Sequence, residues 1–310
     1  MGHLPNPARW SSAVATIRLT GADVRRFLHG QSSQAIPLAG PGSCLATCLI
    51  SPTARMRGLA LVLLDDQAAD VVVLAGDAGA IHEALDRVLF PADQVALGRP
   101  QSATLVRFTG AGGTLPAATA SSEVRWLQPG VDLGAGAEQP ALLLEDGAPL
   151  PAWLEALPEL TAEQAERQRI RQGFPAVPQE ANDDTNPFEL GLAPWVNLSK
   201  GCYVGQETLA KLATYGGVKQ QLRYWRCHTS VALEPGTPLS TAAGERAGVI
   251  TSSLCSGEGA EGLALVRRGA LELSQLIARP GDQALDLSIS TPPAFVAPPV
   301  GAGGQGAAQA

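Results

Sequence analysis

Short apolar runs separated by turn residues dominate the first third of the chain. Residues 15–19, 44–50, 59–64 and 71–75 each have strand length and strand composition, and the last two straddle Asp65-Asp66-Gln67-Ala68-Ala69-Asp70, a polar connector that predicts a hairpin. Helical spacing interrupts them at residues 23–28 and 80–89, the second closed by Pro91. Residues 110–122 and 134–139 are small and polar, which predicts loops. The clearest helix signal comes next. Thr161 is placed as an N-cap with Gln164 three residues on, and Gly173 and Pro175 supply a stop, so the pattern predicts a helix over 162–172. A further helix is expected over 206–214, with Leu209, Leu212 and Ala213 on one side, Glu207 in the first turn and Gly216-Gly217 after the end.

From Gln221 the pattern returns to strand and turn. Glu234-Pro235-Gly236-Thr237-Pro238 and Ala242-Ala243-Gly244-Glu245 read as turns, and residues 247–251 and 262–267 as strands, which predicts a compact β-barrel. After Ser290 the composition turns to Pro, Gly and Ala. Residues 292–310 hold too few large apolar groups to offset the entropy of ordering them, so disorder is expected there. The class is α+β, divided into residues 1–222, a barrel at 223–290 and a tail at 291–310.

Composition narrows the function. With 310 residues, 45% hydrophobic content and a formal charge of −7, two or three domains fit, and free nucleic acid is excluded as the main partner because phosphate binding needs clustered positive charge. The densest basic cluster is Arg167, Arg169 and Arg171; Glu163 lies four residues before Arg167, so a solvated helix face stands beside a ligand-facing role. The opening residues lack the regions of a signal peptide, and no apolar run reaches the roughly 18 residues of a membrane helix, so a cytoplasmic protein is expected. Five scattered cysteines argue against a disulfide framework. Cys44 and Cys48 fit one face of a buried strand better than a zinc site, the four histidines have no metal-ligand spacing, and no metal is expected. Gly110-Ala111-Gly112-Gly113 lacks the Lys and Ser/Thr of a phosphate loop.

Chemistry concentrates in Ser199-Lys200-Gly201-Cys202-Tyr203-Val204-Gly205-Gln206-Glu207. A thiol reacts as thiolate, and a neighbouring cation or helix N-terminus favours that form. Cys202 stands two residues from Lys200 and one turn before the expected helix, between two glycines that let backbone or a flat ligand approach closely. The competing reading is a small buried cysteine in a strand-to-helix turn.

The run from Lys200 to Glu207 reproduces the Lys-Gly-Cys-Tyr/Phe-x-Gly-Gln-Glu signature of the YgfZ-type folate-binding proteins, and the chain resembles that family. The likeness extends through Pro187-Phe188-Glu189-Leu190-Gly191-Leu192 and from Thr214 to Leu222, where it is most similar to the cyanobacterial and plastid branch. Weaker matches are Phe27-Leu28-His29-Gly30-Gln31, Ser51-Pro52-Thr53-Ala54-Arg55, Arg169 with Gly173 and Pro175, and residues 261–266. The resemblance implies an aminomethyltransferase-like fold related to the glycine-cleavage T-protein, with three domains around a central channel and residues 1–222 as two interlaced subdomains. It further implies a monomer that binds tetrahydrofolate, helps assemble or repair iron–sulfur proteins, and carries Cys202 as the responsive thiol with Lys200 lowering its pKa.

Folate needs partners for a pterin edge, a cover for its ring and cations for its glutamate tail. Glu180 and Gln206 are candidates for the edge, Tyr203 or Trp195 for the ring, and Arg169, Arg171 or Lys219 for the tail, with Glu207 completing the motif's binding set. Two departures from T-proteins bear on activity. Arg171 stands where they place a pterin-reading glutamate, and Ala54-Arg55-Met56-Arg57-Gly58 lacks their acidic pair, which favours an accessory protein over a transferase. A tetrahydrofolate-dependent aminomethyltransferase or demethylase is the alternative, and a thiol hydrolase using His228 as base the third reading.

Overall fold

The computed structural model describes residues 4–110, 124–136, 140–214, 217–229, 231, 233–257, 259–281 and 283–298. Most of the expected loop at 110–122, residues 137–139 of the second loop, and Gly216 of the expected helix stop lie outside the described residues.

The first part of the chain builds an antiparallel sheet. Its strands are β1 (Ala8–Thr20), β2 (Cys44–Ile50), β3 (Met56–Leu64), β4 (Ala68–Gly76), β5 (Ala96–Leu97), β6 (Gln101–Thr109), β7 (Val124–Leu127) and β8 (Ala141–Glu145). The order is β2-β3-β4-β1-β6-β8-β7, with β5 beside β1. The expected hairpin is β3–β4, closed where Asp65 N donates to Ala68 O at 2.9 Å. Its strands read as near-continuous apolar runs because the sheet is buried on both faces. Ala60, Val62, Val71 and Val73 pack with Phe27 and Leu28 of α1 (Val24–Gln31) and Ile81 and Leu85 of α2 (Ala78–Arg87). Leu59, Leu61, Val72 and Cys48, on the opposite face, join a larger core with Phe174, Phe188, Trp195, Tyr203 and Leu263.

The remaining helices are α3 (Ala152–Glu155), α4 (Ala162–Gln172) and α5 (Gln206–Thr214). α4 has the expected bounds for the expected reason: Thr161 and Gln164 form the reciprocal capping box, and Gly173 closes it with φ +77°. Residues from Gln220 onward close a six-stranded barrel, β10-β11-β12-β9-β14-β13, from β9 (Gln220–Cys227), β10 (Pro238–Ser240), β11 (Arg246–Ser256), β12 (Gly259–Arg267), β13 (Gln275–Ala278) and β14 (Leu285–Ser290).

Two findings differ from expectation. Residues 292–298 are ordered onto the body: Ala294 N donates to Gln172 O at 3.0 Å, Val296 N to Gly191 O at 2.9 Å, and Phe295 lies beneath the Arg223 guanidinium at 5.2 Å. Phe295 and Val296 are the large apolar groups that the tail's average composition hides. The arginines of α4, read as solvated or ligand-facing, instead tie it to the barrel. Arg171 makes two bonds of 2.9 Å to Glu261 of β12, Arg167 meets the same carboxylate, and the Tyr224 hydroxyl donates to it at 2.6 Å. Burial pushes the Glu261 carboxyl up, but the bonds from Arg171 and Tyr224 outweigh it and hold it below its ordinary range.

Candidate functional site

The signature loop folds over the C-terminal end of α1. The Lys200 side chain is buried, and its Nζ donates to three backbone carbonyls: His29 at 2.5 Å, Ser32 at 2.7 Å and Gln34 at 2.8 Å. These carbonyls lie at and beyond the last turn of α1, where helix carbonyls lack partners and the dipole favours a cation. Burial pulls the ammonium down to about 7. All three N–H bonds of Lys200 are therefore engaged at and just beyond the end of α1, and the residue clamps the loop to it.

The other signature residues hold the loop from different sides. Val204 N donates to Gly30 O at 3.1 Å, and Gln206 Nε2 to Lys200 O at 2.9 Å. Gly205 has φ +80°, and a Cβ there would come within 2.8 Å of both Ser51 O and the Ile50 side chain, so only glycine lets the loop rest on the 51–55 turn. Tyr203 is buried under Lys200, whose Nζ is 4.4 Å from the ring centroid; burial pushes the phenol up to about 12. Glu207 is exposed and pairs with Lys211 at 2.7 Å. Cys202 alone among these side chains is an exposed thiol, carried on a loop whose neighbours are fixed.

Several expected folate contacts are committed elsewhere. Glu180 is fully buried, taking Arg169 at 3.1 Å, the Ala176 amide at 2.9 Å and the Ser252 hydroxyl at 2.6 Å. It has no open edge for a pterin. Arg169 grips both oxygens of Glu166 and also meets Phe174 O, Glu180 and Ser252, and Arg171 is held by Glu261. In this structure the three residues link α4, the 174–180 segment and the barrel. Trp195 and Tyr203 are core residues of one cluster.

A cleft of about 730 Å³ opens next to the loop, between α2, the ends of β2 and β3, and residues 177–183. Its walls include Ile50, Met56, Ile81, Val177 and Val204, and Arg57, Arg87 and Asn182 add polar groups. Size and mixed lining suit a small organic ligand with one charged end. Val204 and Gln31 place the cleft against the signature loop, two residues from Cys202.

His228, expected as base of a thiol hydrolase, follows β9 and packs by Gly259 on the barrel. The loop meets His29 instead: the ring Nε2 is 3.6 Å from where a Cβ on Gly201 would stand. Sequence reasoning missed this residue. The segment around it belongs to the family resemblance, but nothing local signals that residue 29 meets residue 201. Cys44 and Cys48 share one core, and burial pushes the Cys44 thiol up to about 12. Among the described residues no group of His, Cys, Asp and Glu could hold a metal ion, and no helix is long and apolar enough to cross a membrane.

No protein-family model matches the chain. It is 28% identical over 290 residues to "Putative transferase At1g60990, chloroplastic" of Arabidopsis thaliana, covering 86% of this chain and 66% of that protein. The fold is similar to the crystal structure of glycine cleavage system aminomethyltransferase T from Bartonella henselae, with a TM-score of 0.75 and 17% identity, covering 94% of this chain and 86% of that one. The architecture is therefore that of the glycine-cleavage T-protein.

Proposed function

We propose that this protein binds tetrahydrofolate or another reduced folate in the cleft beside the signature loop and serves, as a YgfZ-type factor in the cytoplasm, in the assembly or repair of iron–sulfur proteins. The observation that carries the reading is the adjacency of a folate-sized cleft to a thiol displayed on a rigid loop. The lining fits the ligand by type. Ile50, Met56 and Val204 offer apolar contact for the pterin, Asn182 an amide for its polar edge, and Arg57 and Arg87 cations for the glutamate tail. Arg57 is paired with Asp183 at 2.6 Å, but both side chains are more than half exposed, and a surface pair of this kind is exchanged for a ligand carboxylate at little cost.

The chain's own contribution is to hold and orient. Lys200, Val204 and Gly205 fix the loop, the cleft holds the folate beside it, and Cys202 faces the client iron–sulfur protein. No acidic pair stands at residues 54–58, which is why a binding role is favoured over one-carbon transfer. The alternative of a tetrahydrofolate-dependent aminomethyltransferase or demethylase draws on the T-protein fold and on three cleft carboxylates, Asp77, Glu83 and Asp183. Turnover of glycine-cleavage intermediates that disappears in Asp183→Asn would favour it. The accessory reading is tested by complementation: cells lacking a factor of this kind should regain iron–sulfur enzyme activity with the wild-type chain and not with Cys202→Ala, and equal rescue by both would overturn the thiol's role.

A further inference from the structure

We propose that the end of the barrel where β9 begins and β12 ends is a docking surface for an acidic segment of a partner protein. Three adjacent strands bring a row of cations together there. The register sets Gly248 of β11 opposite Val266 of β12, and Val266 opposite Gln221 of β9. Arg246, Arg268 and Lys219 each lie two residues from these positions toward the same end, and Arg268 N donates to Lys219 O at 2.9 Å. Neighbouring strands are about 4.8 Å apart, so the three backbone positions fall within about 10 Å of one another. All three residues are exposed, and among the described residues none enters an ion pair.

Two more arginines add to the row. Arg267 is exposed opposite Gln220, and Arg223 stands on the same face of β9 as Gln221. The Arg223 residue is only 7% exposed, yet its guanidinium bonds to Leu222 O and Gln221 Oε1 and to no carboxylate. A buried charge without a bonded counter-ion is costly, and like charges on facing strands repel, so an anion laid across this end relieves both. The acids nearby are few. Glu245 precedes Arg246, Glu272 acts on Arg223 through space, and Glu189, buried, feels the charge of Lys219. In a chain of net charge −7 this is a local excess of the opposite sign.

Apolar groups at the same place point to a protein as the occupant. Leu273, 41% exposed, follows the 268–270 turn, its N–H donating to Ala270 O at 3.1 Å. Val296, 45% exposed, follows Phe295, whose ring lies against Arg223. An acidic segment that also carries an aliphatic side chain meets both kinds of group, cations and apolar surface. A nucleic acid has no aliphatic side chain to offer, and its phosphates are repelled at long range by the rest of this chain. The surface lies on the barrel, apart from the cleft, so the experiment contains no folate and its result does not depend on the folate reading.

The test is fluorescence anisotropy of a labelled peptide of repeated Glu-Glu-Leu, titrated with the full chain at low and at physiological salt. Wild type is expected to bind, and to bind more weakly as salt rises. Arg268→Glu should weaken binding at least about fivefold and Arg246→Glu/Arg268→Glu at least about tenfold, because a charge at the contact is reversed. Arg99→Glu makes the same change of charge at an exposed position of the sheet part and should leave binding within about twofold. No binding by wild type, or an equal loss in Arg99→Glu and Arg268→Glu, would overturn the surface. Tighter binding of a single-stranded oligonucleotide of equal charge would overturn the choice of a protein partner. Should charge reversal unfold the barrel, Lys219→Gln/Arg268→Gln decides: at least about threefold weaker binding supports the surface, and unchanged binding overturns it.

Discussion

Lys200 shows how one side chain organises this site. Its sequence position beside a cysteine suggests an activator of the thiol, and in the structure its ammonium closes three carbonyls at and beyond the C-terminal end of α1. Lys200→Met keeps the apolar stem but strips those carbonyls of their donor. The expected cost is on the order of 3 kcal/mol, since each buried unsatisfied group costs about 1–3 kcal/mol. Urea denaturation would measure it, and a loss below about 0.5 kcal/mol would contradict the clamp. Gly205→Ala is expected to destabilise for two reasons, the left-handed φ and contact with Ser51 O. The glycines around Cys202 were legible as a sign of close backbone approach, but what approaches is residues 51–55 and His29, more than 140 residues earlier, which no local spacing reveals.

Elements were legible where local chemistry decides them. α4 and α5 were placed at their observed bounds because a capping box, a first-turn acid and glycine stops act within one turn of the chain. β2 was placed as well, since its apolar run ends where the sheet ends. How α4 is used was not legible, because Glu261 lies 90 residues beyond Arg171. This joint has a pH signature. The Glu261 carboxyl is held below its ordinary value in the folded state, so its contribution is fully present above the unfolded value of about 4.3 and is lost as pH falls through the folded value. Glu261→Gln should therefore lower the melting temperature at pH 7 and flatten its fall under acid, because removing one partner of a buried pair costs about 3–5 kcal/mol. An unchanged acid limb would contradict the assignment. Truncation after Ser290 is a companion test of the strap at 292–296. It should destabilise the protein by removing Phe295 from the core and from Arg223, and a chain of unaltered stability would mean that the segment does not pack there.

At the scale of the molecule, the strands of the sheet and the closed barrel meet in one large core, and the signature loop sits where the 51–55 turn, α1 and the cleft converge. The α+β class and the barrel were readable from strand and turn patterns alone. The cleft was not, since its walls come from five separated stretches of chain. The central claim is that this cleft holds a reduced folate, and the most direct measurement is an anaerobic calorimetric titration with tetrahydrofolate of the wild type, Cys202→Ala and Ala84→Trp. Ala84 is exposed on α2 and lines the cleft, so the indole fills the space with little effect on the core. The account predicts micromolar binding by wild type and Cys202→Ala and at least about tenfold weaker binding by Ala84→Trp, equivalent to about 1.4 kcal/mol. No binding by any of the three, or equal binding by all three, would contradict it.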